Sequence, residues 1–577
     1  MTHPSGPRND QGQVDMPLTT DTMLDQEART RMHEDTSVGG GNAWQKALEL
    51  SPHPDKTCLL ADRPVNNCDG VPQSEFNLRQ LDELAESWAS LYWDRGVRRR
   101  DRVAVWIDDS FDDQLQLAAL ARLGAIPLLI NGRMLSESAL SLMTRTNPVG
   151  LYTDAAHLLL LKGRHEKLPE LRWTITPEDG RGLGRRTLPE RARHRHGDDD
   201  PVFLCHSSGT TGTPKPVIWA HRQSLAGPGW RLSVPEDPAI LMSAAPQSHS
   251  SAIAYTLYSL LCGLPLISFS DQSGPGVARG VREHRPTRIL AFNQTYSELA
   301  AMKLDPDDFT SVREWQNTGD SAHDAHIRKL IRHGHHLADG ERLPGSVFSD
   351  GLGSSELGWA TLRRYIDQDT PSRPRFMGNP VPAGEVAVLR QDGSKAADGE
   401  VGMFGLRSRS VVPGYWNDAD TYYRSRLVGY WLSGDLAYHE GDDFFLVDRA
   451  ADAIHSPDGP GYSVLMEEIL LMGLPEVADC AVVAGHRGDT ARPVAVVRTT
   501  EDADPDDLLK RANSALSKAG QPPLALLEVV DSPAAIPTGP TGKVLKRVLR
   551  ERYADLDTYP ATATGRFATD GEGASLR

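Results

Sequence analysis

Phe203-Leu204-Cys205-His206-Ser207-Ser208-Gly209-Thr210-Thr211-Gly212-Thr213-Pro214-Lys215-Pro216-Val217 is a short apolar run that breaks into a loop of glycines and hydroxyls. Val202, Phe203 and Leu204 read as the end of a buried strand. Beyond them Ser207, Ser208, Thr210, Thr211 and Thr213 contribute five hydroxyls. Gly209 and Gly212 let the main chain approach an anion with no Cβ in the way, and closely spaced N–H groups make a concave anion site. Lys215 adds a mobile positive charge. This chemistry suits a polyphosphate. The run is not a Walker loop, which needs Gly-x-x-x-x-Gly-Lys-Ser/Thr; here two residues separate the glycines and the lysine follows a proline. The plainer reading is a polar turn between two strands.

A chain of 577 residues is too long for one compact core, so at least two domains are expected. With 39% hydrophobic and 24% charged residues the composition is that of a soluble globular enzyme. A net charge of -16 argues against nucleic acid and against an anionic membrane surface as partners, while leaving room for a local nucleotide site. Cys58, Cys68, Cys205, Cys262 and Cys480 are scattered, with no Cys-x-x-Cys pair. That pattern points to a reduced cytoplasm and away from a zinc site. No apolar run reaches membrane-spanning length and the N-terminus lacks a signal-peptide pattern.

Residues 1–43 are polar, end in Gly39-Gly40-Gly41, and are expected to be a disordered tail. Leu78, Leu81, Leu84, Trp88 and Leu91 recur at helical spacing. A strand (103–107), a helix (114–123) and a strand (126–130) then set up the alternation of an α/β domain. The run Arg98-Arg99-Arg100 reads as a solvated loop, and the charged stretch 163–200 as a connecting surface segment. After the loop the rhythm resumes with a strand at 240–245, a helix at 252–261 and a strand at 264–269. Asn317-Thr318-Gly319-Asp320-Ser321 opens a further strand-to-helix turn, where ligands gather in open α/β sheets.

The loop resembles the phosphate-binding signature Ser-Gly-Thr-Thr-Gly-x-Pro-Lys of the adenylate-forming superfamily, which includes acyl- and aryl-CoA synthetases, peptide-synthetase adenylation domains and firefly luciferase. Further stretches match that family in order: Pro246-Gln247-Ser248-His249, Asp350-Gly351-Leu352-Gly353-Ser354-Ser355-Glu356, Ser433-Gly434-Asp435, Arg449-Ala450-Ala451-Asp452, and Thr538-Gly539-Pro540-Thr541-Gly542-Lys543. The resemblance spans about Phe76 to Tyr553. It implies a large multi-subdomain α/β N-terminal domain (44–450), a small mobile α+β C-terminal domain (451–557) and a loose tail (558–577).

The family's roles carry over residue by residue. Ser207, Ser208, Gly209, Thr210, Gly212 and Lys215, with Gly353, Ser354 and Ser355, would hold the nucleotide phosphates. Asp435 and Arg449 would hold the ribose, because a carboxylate accepts from both hydroxyls. Glu356 and Thr211 would ligate Mg²⁺, a hard cation that favours a few protein oxygens together with phosphate oxygens. His249, Ala252, Gly319, Asp320 and Gly351 would line the acyl pocket, and Gly461 and Tyr462 the coenzyme A tunnel. Lys543, Thr211 and His249 would be catalytic.

The implied reaction is that of an acid:CoA ligase. A carboxylate attacks the α-phosphate of ATP, and the CoA thiol then displaces AMP. The partners are a small carboxylic acid, ATP and CoA, in a cytoplasmic protein for which homodimerisation stays open. Three departures qualify this. Leu352 stands where relatives carry an aromatic residue against adenine, Ala451 replaces the hinge Asp or Lys, and Met466 replaces a proline in the tunnel segment. Three alternatives stay open beside the ligase: an amine or carrier-protein thiol as acceptor, a specialist in one half-reaction, and a non-catalytic nucleotide binder.

Overall fold

The computed structural model describes residues 18–19, 23–207, 214–234, 236–319, 322–338, 340–500, 503–532, 535–538 and 544–559, and the backbone of 564–566. Among these, one sheet runs Gly414–Tyr415, Pro216–Ala220, Pro201–His206, Ile126–Ile130, Arg102–Trp106, Gly150–Thr153, Trp173–Ile175. Five of its strands are parallel neighbours and read as buried apolar runs, as expected of a sheet covered on both faces. Arg102–Trp106 lies between its successor Ile126–Ile130 and the later Gly150–Thr153, so the order reverses at its carboxyl end.

A larger sheet repeats the device. Leu241–Ala244 lies between Leu266–Ser268 and Arg288–Phe292, with Glu314–Thr318 and Val347–Leu352 extending the parallel half. From Leu362–Ile366 onward the same sheet turns antiparallel and takes in Tyr430–Glu440 and Asp443–Arg449. The two reversals face each other: the Gln247 backbone N–H, just past one, donates to Asp109, just past the other, at 2.6 Å. Open α/β sheets bind ligands at such crevices.

The C-terminal region builds a separate sheet, Val477–Arg487, Thr490–Thr499, Leu526–Val529 and Thr564–Arg566, flanked by the helices Ser463–Gly473, Pro505–Lys518 and Lys546–Arg552. Met466 lies wholly buried in its core with Ile454, Leu470 and Val482. The Met466 N–H donates to the Tyr462 carbonyl at 2.8 Å, a helical bond that the family's proline could not make.

The alternation read from the sequence stands, with helix ends shifted by one or two residues. Three expectations are corrected. Residues 23–42 are not a tail: Asp25 caps the helix Gln26–Glu34, and Leu24, Ala28 and Met32 form one apolar stripe that enters the main core. A stripe of one residue per turn is too thin to lift the segment above its polar composition. Within the presumed tail, Thr564–Arg566 pairs in parallel with Leu526–Val529. The connecting segment 163–200 contributes the strand Trp173–Ile175 and buries Leu168, Leu183 and Leu188.

The arginine run is a loop as expected. Arg98 lies 3.6 Å over the Trp93 ring and Arg99 pairs with Asp200 at 3.0 Å.

Candidate active site

The strand Pro201–His206 leads into the glycine-hydroxyl segment and the antiparallel strand Pro216–Ala220 carries the chain away from it. Its base is closed twice: the Ser207 N–H donates to the Lys215 carbonyl at 3.1 Å, and the Lys215 N–H donates to Ser207 Oγ at 3.0 Å. Lys215 Nζ lies 5.2 Å over the Tyr415 ring. Ser208, Gly209, Thr210, Thr211 and Gly212 lie outside the described residues, as do Asp320 and Lys543.

Ser355 is buried against the root of the loop. It donates to the His206 carbonyl at 3.3 Å, accepts from Ser250 at 3.2 Å, and its own carbonyl accepts the Trp219 indole N–H at 3.0 Å. Burial lowers the His206 pKa, so that ring stays neutral and serves as structure. Ser354 is exposed and accepts the Glu356 N–H at 3.3 Å. Glu356 Oε1 accepts the Tyr415 hydroxyl at 3.1 Å, and burial beside that carboxylate pushes the phenol pKa up. A carboxylate steadied at one oxygen and half-exposed fits the single hard oxygen that a phosphate-bridging Mg²⁺ takes from protein.

His249 caps the helix Ser250–Cys262, its Nδ1 accepting the Ser251 N–H at 3.2 Å. In the neutral ring the proton is therefore on Nε2. The imidazole packs edge-on against Phe292, with centroids 5.1 Å apart. Phe292 joins Ala245 and Ala252 in a small apolar cluster. Gly319, at φ +91, lies so near that a Cβ there would stand 2.9 Å from the Phe292 ring. At Gly351 a Cβ would stand 2.9 Å from the Cβ of Ala360. His249, Ala252 and Gly319 thus meet at Phe292, which sequence reasoning did not single out. Behind them Asp350 is saturated, accepting from Asn317 at 2.7 Å and from Arg364 at 2.6 Å, and acts as a brace.

Asp435 and Arg449 are direct cross-strand partners, and Arg449 Nη1 meets Asp435 Oδ1 at 3.0 Å. The carboxylate is buried while the guanidinium is about half exposed, so the pair opens toward solvent. Leu352 packs at the edge of the apolar cluster around Leu362 and Phe404.

Gly461 and Tyr462 lead into the helix Ser463–Gly473. A Cβ at Gly461 would stand 2.8 Å from Pro522, and the Tyr462 N–H donates to Gln521 at 3.0 Å. Their partners belong to the C-terminal region, which the Arg375–Glu468 ion pair at 2.7 Å ties to the main sheet. Next to Ala451, Asp452 pairs with Arg550.

Two open sheets whose strand orders reverse opposite one another are the frame of an adenylate-forming enzyme. The chain belongs to the AMP-binding enzyme family, whose model matches residues 49–416. It is an ATP-dependent enzyme of the AMP-forming ligases. It is 38% identical over 558 residues to a 3-aminoavenalumate diazotase of Streptomyces sp., covering 92% of this chain and 99% of that protein. It is 26% identical over 491 residues to the 3-amino-2-hydroxy-4-methoxybenzoate diazotase of Streptomyces cremeus, covering 79% and 86%. Among solved structures, the anthranilate CoA ligase AuaEII in complex with anthranoyl-AMP superposes with a TM-score of 0.74 at 19% identity, covering 89% of this chain and 97% of that one. No helix among the described residues is long and apolar enough to cross a membrane.

Proposed function

We propose that this protein is an ATP-dependent diazotase that activates nitrite as an adenylate and transfers its nitrogen to the amino group of an amino-substituted aryl carboxylate. The observation that carries this reading is the near-full-length likeness to the 3-aminoavenalumate diazotase. The rewritten tunnel segment, with Met466 locked into the helix and core, supports an acceptor other than CoA.

A nitrite oxygen attacks the α-phosphorus of ATP and the bond to pyrophosphate breaks, giving a nitrosyl–AMP anhydride. The amine lone pair attacks the nitroso nitrogen and the N–O bond to AMP breaks. The resulting N-nitrosoammonium adduct passes its two amine protons to the nitroso oxygen, which leaves as water, and becomes the diazonium ion. Amine, nitrite and ATP thus yield diazonium, AMP, pyrophosphate and water.

An aryl amine is a free base at neutral pH, so the attack needs orientation more than a base. In this reading the aryl ring lies against Phe292, Ala252 and Gly319, with the amine toward His249. Ser355 and Lys215 face the phosphates, Lys543 matches the family's adenylation lysine, and Asp435 with Arg449 holds the ribose. Glu356 would hold Mg²⁺, which supplies neutralising charge to the phosphate oxygens.

The runner-up is the acid:CoA ligase, favoured by Gly461 and Glu468 keeping the family's register. The test supplies ATP and Mg²⁺ with an aminoaryl carboxylate, adding either nitrite or CoA. AMP release and azo-dye trapping of diazonium are followed in one arm, thioester in the other. The proposal expects nitrite-dependent AMP and dye. AMP release that needs CoA, with thioester and no dye, would overturn it.

A further inference from the structure

We propose that His194, His196 and Asp200 form a binding site for a divalent transition-metal ion, zinc by preference, separate from the nucleotide site. Their ligand-capable atoms all lie within 4.8 Å of one another. They sit on the segment that enters the strand Pro201–His206 and hence the phosphate loop. The cysteine pattern that argued against zinc says nothing about imidazoles.

His194 Nε2 stands 2.9 Å from Asp200 Oδ2. Ligand atoms on a tetrahedral zinc, each about 2.0–2.1 Å from the metal, lie about 3.3 Å apart, so a small adjustment admits the ion. The His196 Nε2–H donates to the Ala121 carbonyl at 2.9 Å, which in the neutral ring leaves Nδ1 as a bare lone pair. That Nδ1 is buried and has no hydrogen-bond partner. A backbone carbonyl on the far nitrogen is the outer-shell arrangement that fixes the tautomer of a metal-binding histidine.

The surroundings are shaped to the rings. His221 stacks on His196 at 4.9 Å and is itself occupied, accepting the Gly41 N–H and donating to the Ser37 carbonyl. A Cβ on Gly41 would stand 2.5 Å from His196 Nε2, and one on Gly124 2.5 Å from the His194 ring. On Asp200, Oδ1 accepts from Arg99 at 3.0 Å, and Oδ2 accepts the Gly197 N–H at 3.0 Å as well as facing His194. These bonds orient an ionised carboxylate. Two imidazoles, one carboxylate and a water suit zinc or its late transition-metal neighbours and not Mg²⁺. Such an ion would rivet the Gly39–Gly41 strap and the end of the helix Asp112–Ala121 to the segment that enters the amino end of the strand Pro201–His206.

The test uses the tag-free full-length chain, stripped with a chelator and dialysed. Zinc is titrated in without nucleotide, while bound metal per chain and the thermal midpoint are followed together. Cobalt is then substituted as a spectroscopic probe. One equivalent of zinc, a raised midpoint and tetrahedral cobalt bands are expected. In His196→Gln and in Asp200→Asn the affinity should fall by about 10–100-fold or more. Asp200→Asn also loses ion pairing, so His196→Gln carries the test if the former fails to fold. Equal zinc uptake by parent and His196→Gln, or a parent midpoint that zinc leaves unchanged, would overturn the proposal.

Discussion

Asp448 offers a quantitative test of what burying a carboxylate costs where the C-terminal region meets the main sheet. It is fully buried, one residue before the ribose-site Arg449, and its Oδ1 accepts the Arg449 N–H at 2.8 Å. Its Oδ2 has no hydrogen-bond partner. Burial, opposed by Lys546 and helped by the nearby Asp452 and Glu467 carboxylates, raises its pKa from 3.8 to about 6. Such an acid is best accommodated protonated. Its contribution is therefore whole below the unfolded value near 4 and is lost as pH rises to about 6. The gap between the two values corresponds to about 3 kcal/mol. Asp448→Asn keeps the Oδ1 acceptor, removes the ionisation, and leaves Lys546 its 2.8 Å pair with Glu467. The variant should therefore gain about 2 kcal/mol on the parent between pH 4.5, where part of the loss has already occurred, and pH 7.5. The assay is denaturant unfolding of both proteins at the two pH values. Subtracting parent from variant cancels the groups remote from Asp448 and leaves its own ionisation with that of its charged neighbours. A difference independent of pH would show that Asp448 is ionised at no cost, and the burial argument would be wrong.

Three further outcomes are expected. Asp435→Asn should weaken ATP binding about tenfold or more by calorimetry, since an amide cannot accept through both of its ends; unchanged affinity would place the ribose elsewhere. Lys543→Ala should slow pyrophosphate release about 100- to 1000-fold while sparing consumption of a supplied adenylate, and equal loss of both steps would count against its role. Gly39→Ala would set a Cβ 2.4 Å from the His221 ring, and should cost about 1–3 kcal/mol in thermal stability. A midpoint equal to the parent's would mean that the strap does not seat there.

Local signals account for what could be read in advance. The family was legible because the loop at 207–215 and the stretches holding Glu356, Asp435 and Arg449 are linear motifs that resemble those of the adenylate-forming enzymes. The alternating strands and helices show in hydrophobic period, which needs no knowledge of distant partners. Tertiary structure decided the rest. Tyr415 reaches Glu356 because Gly414–Tyr415 pairs with Pro216–Ala220, about two hundred residues away in sequence. Phe292 becomes the meeting point of His249, Ala252 and Gly319 because Arg288–Phe292 lies beside Leu241–Ala244 in the sheet. The Gly39–Gly41 run, which composition assigns to a tail, instead admits the rings of His196 and His221. Met466, which departs from the family motif, proves to be core. Each of these depends on strand order, sheet reversal and close approach between remote segments, and no period or spacing along the chain encodes which remote segments will touch.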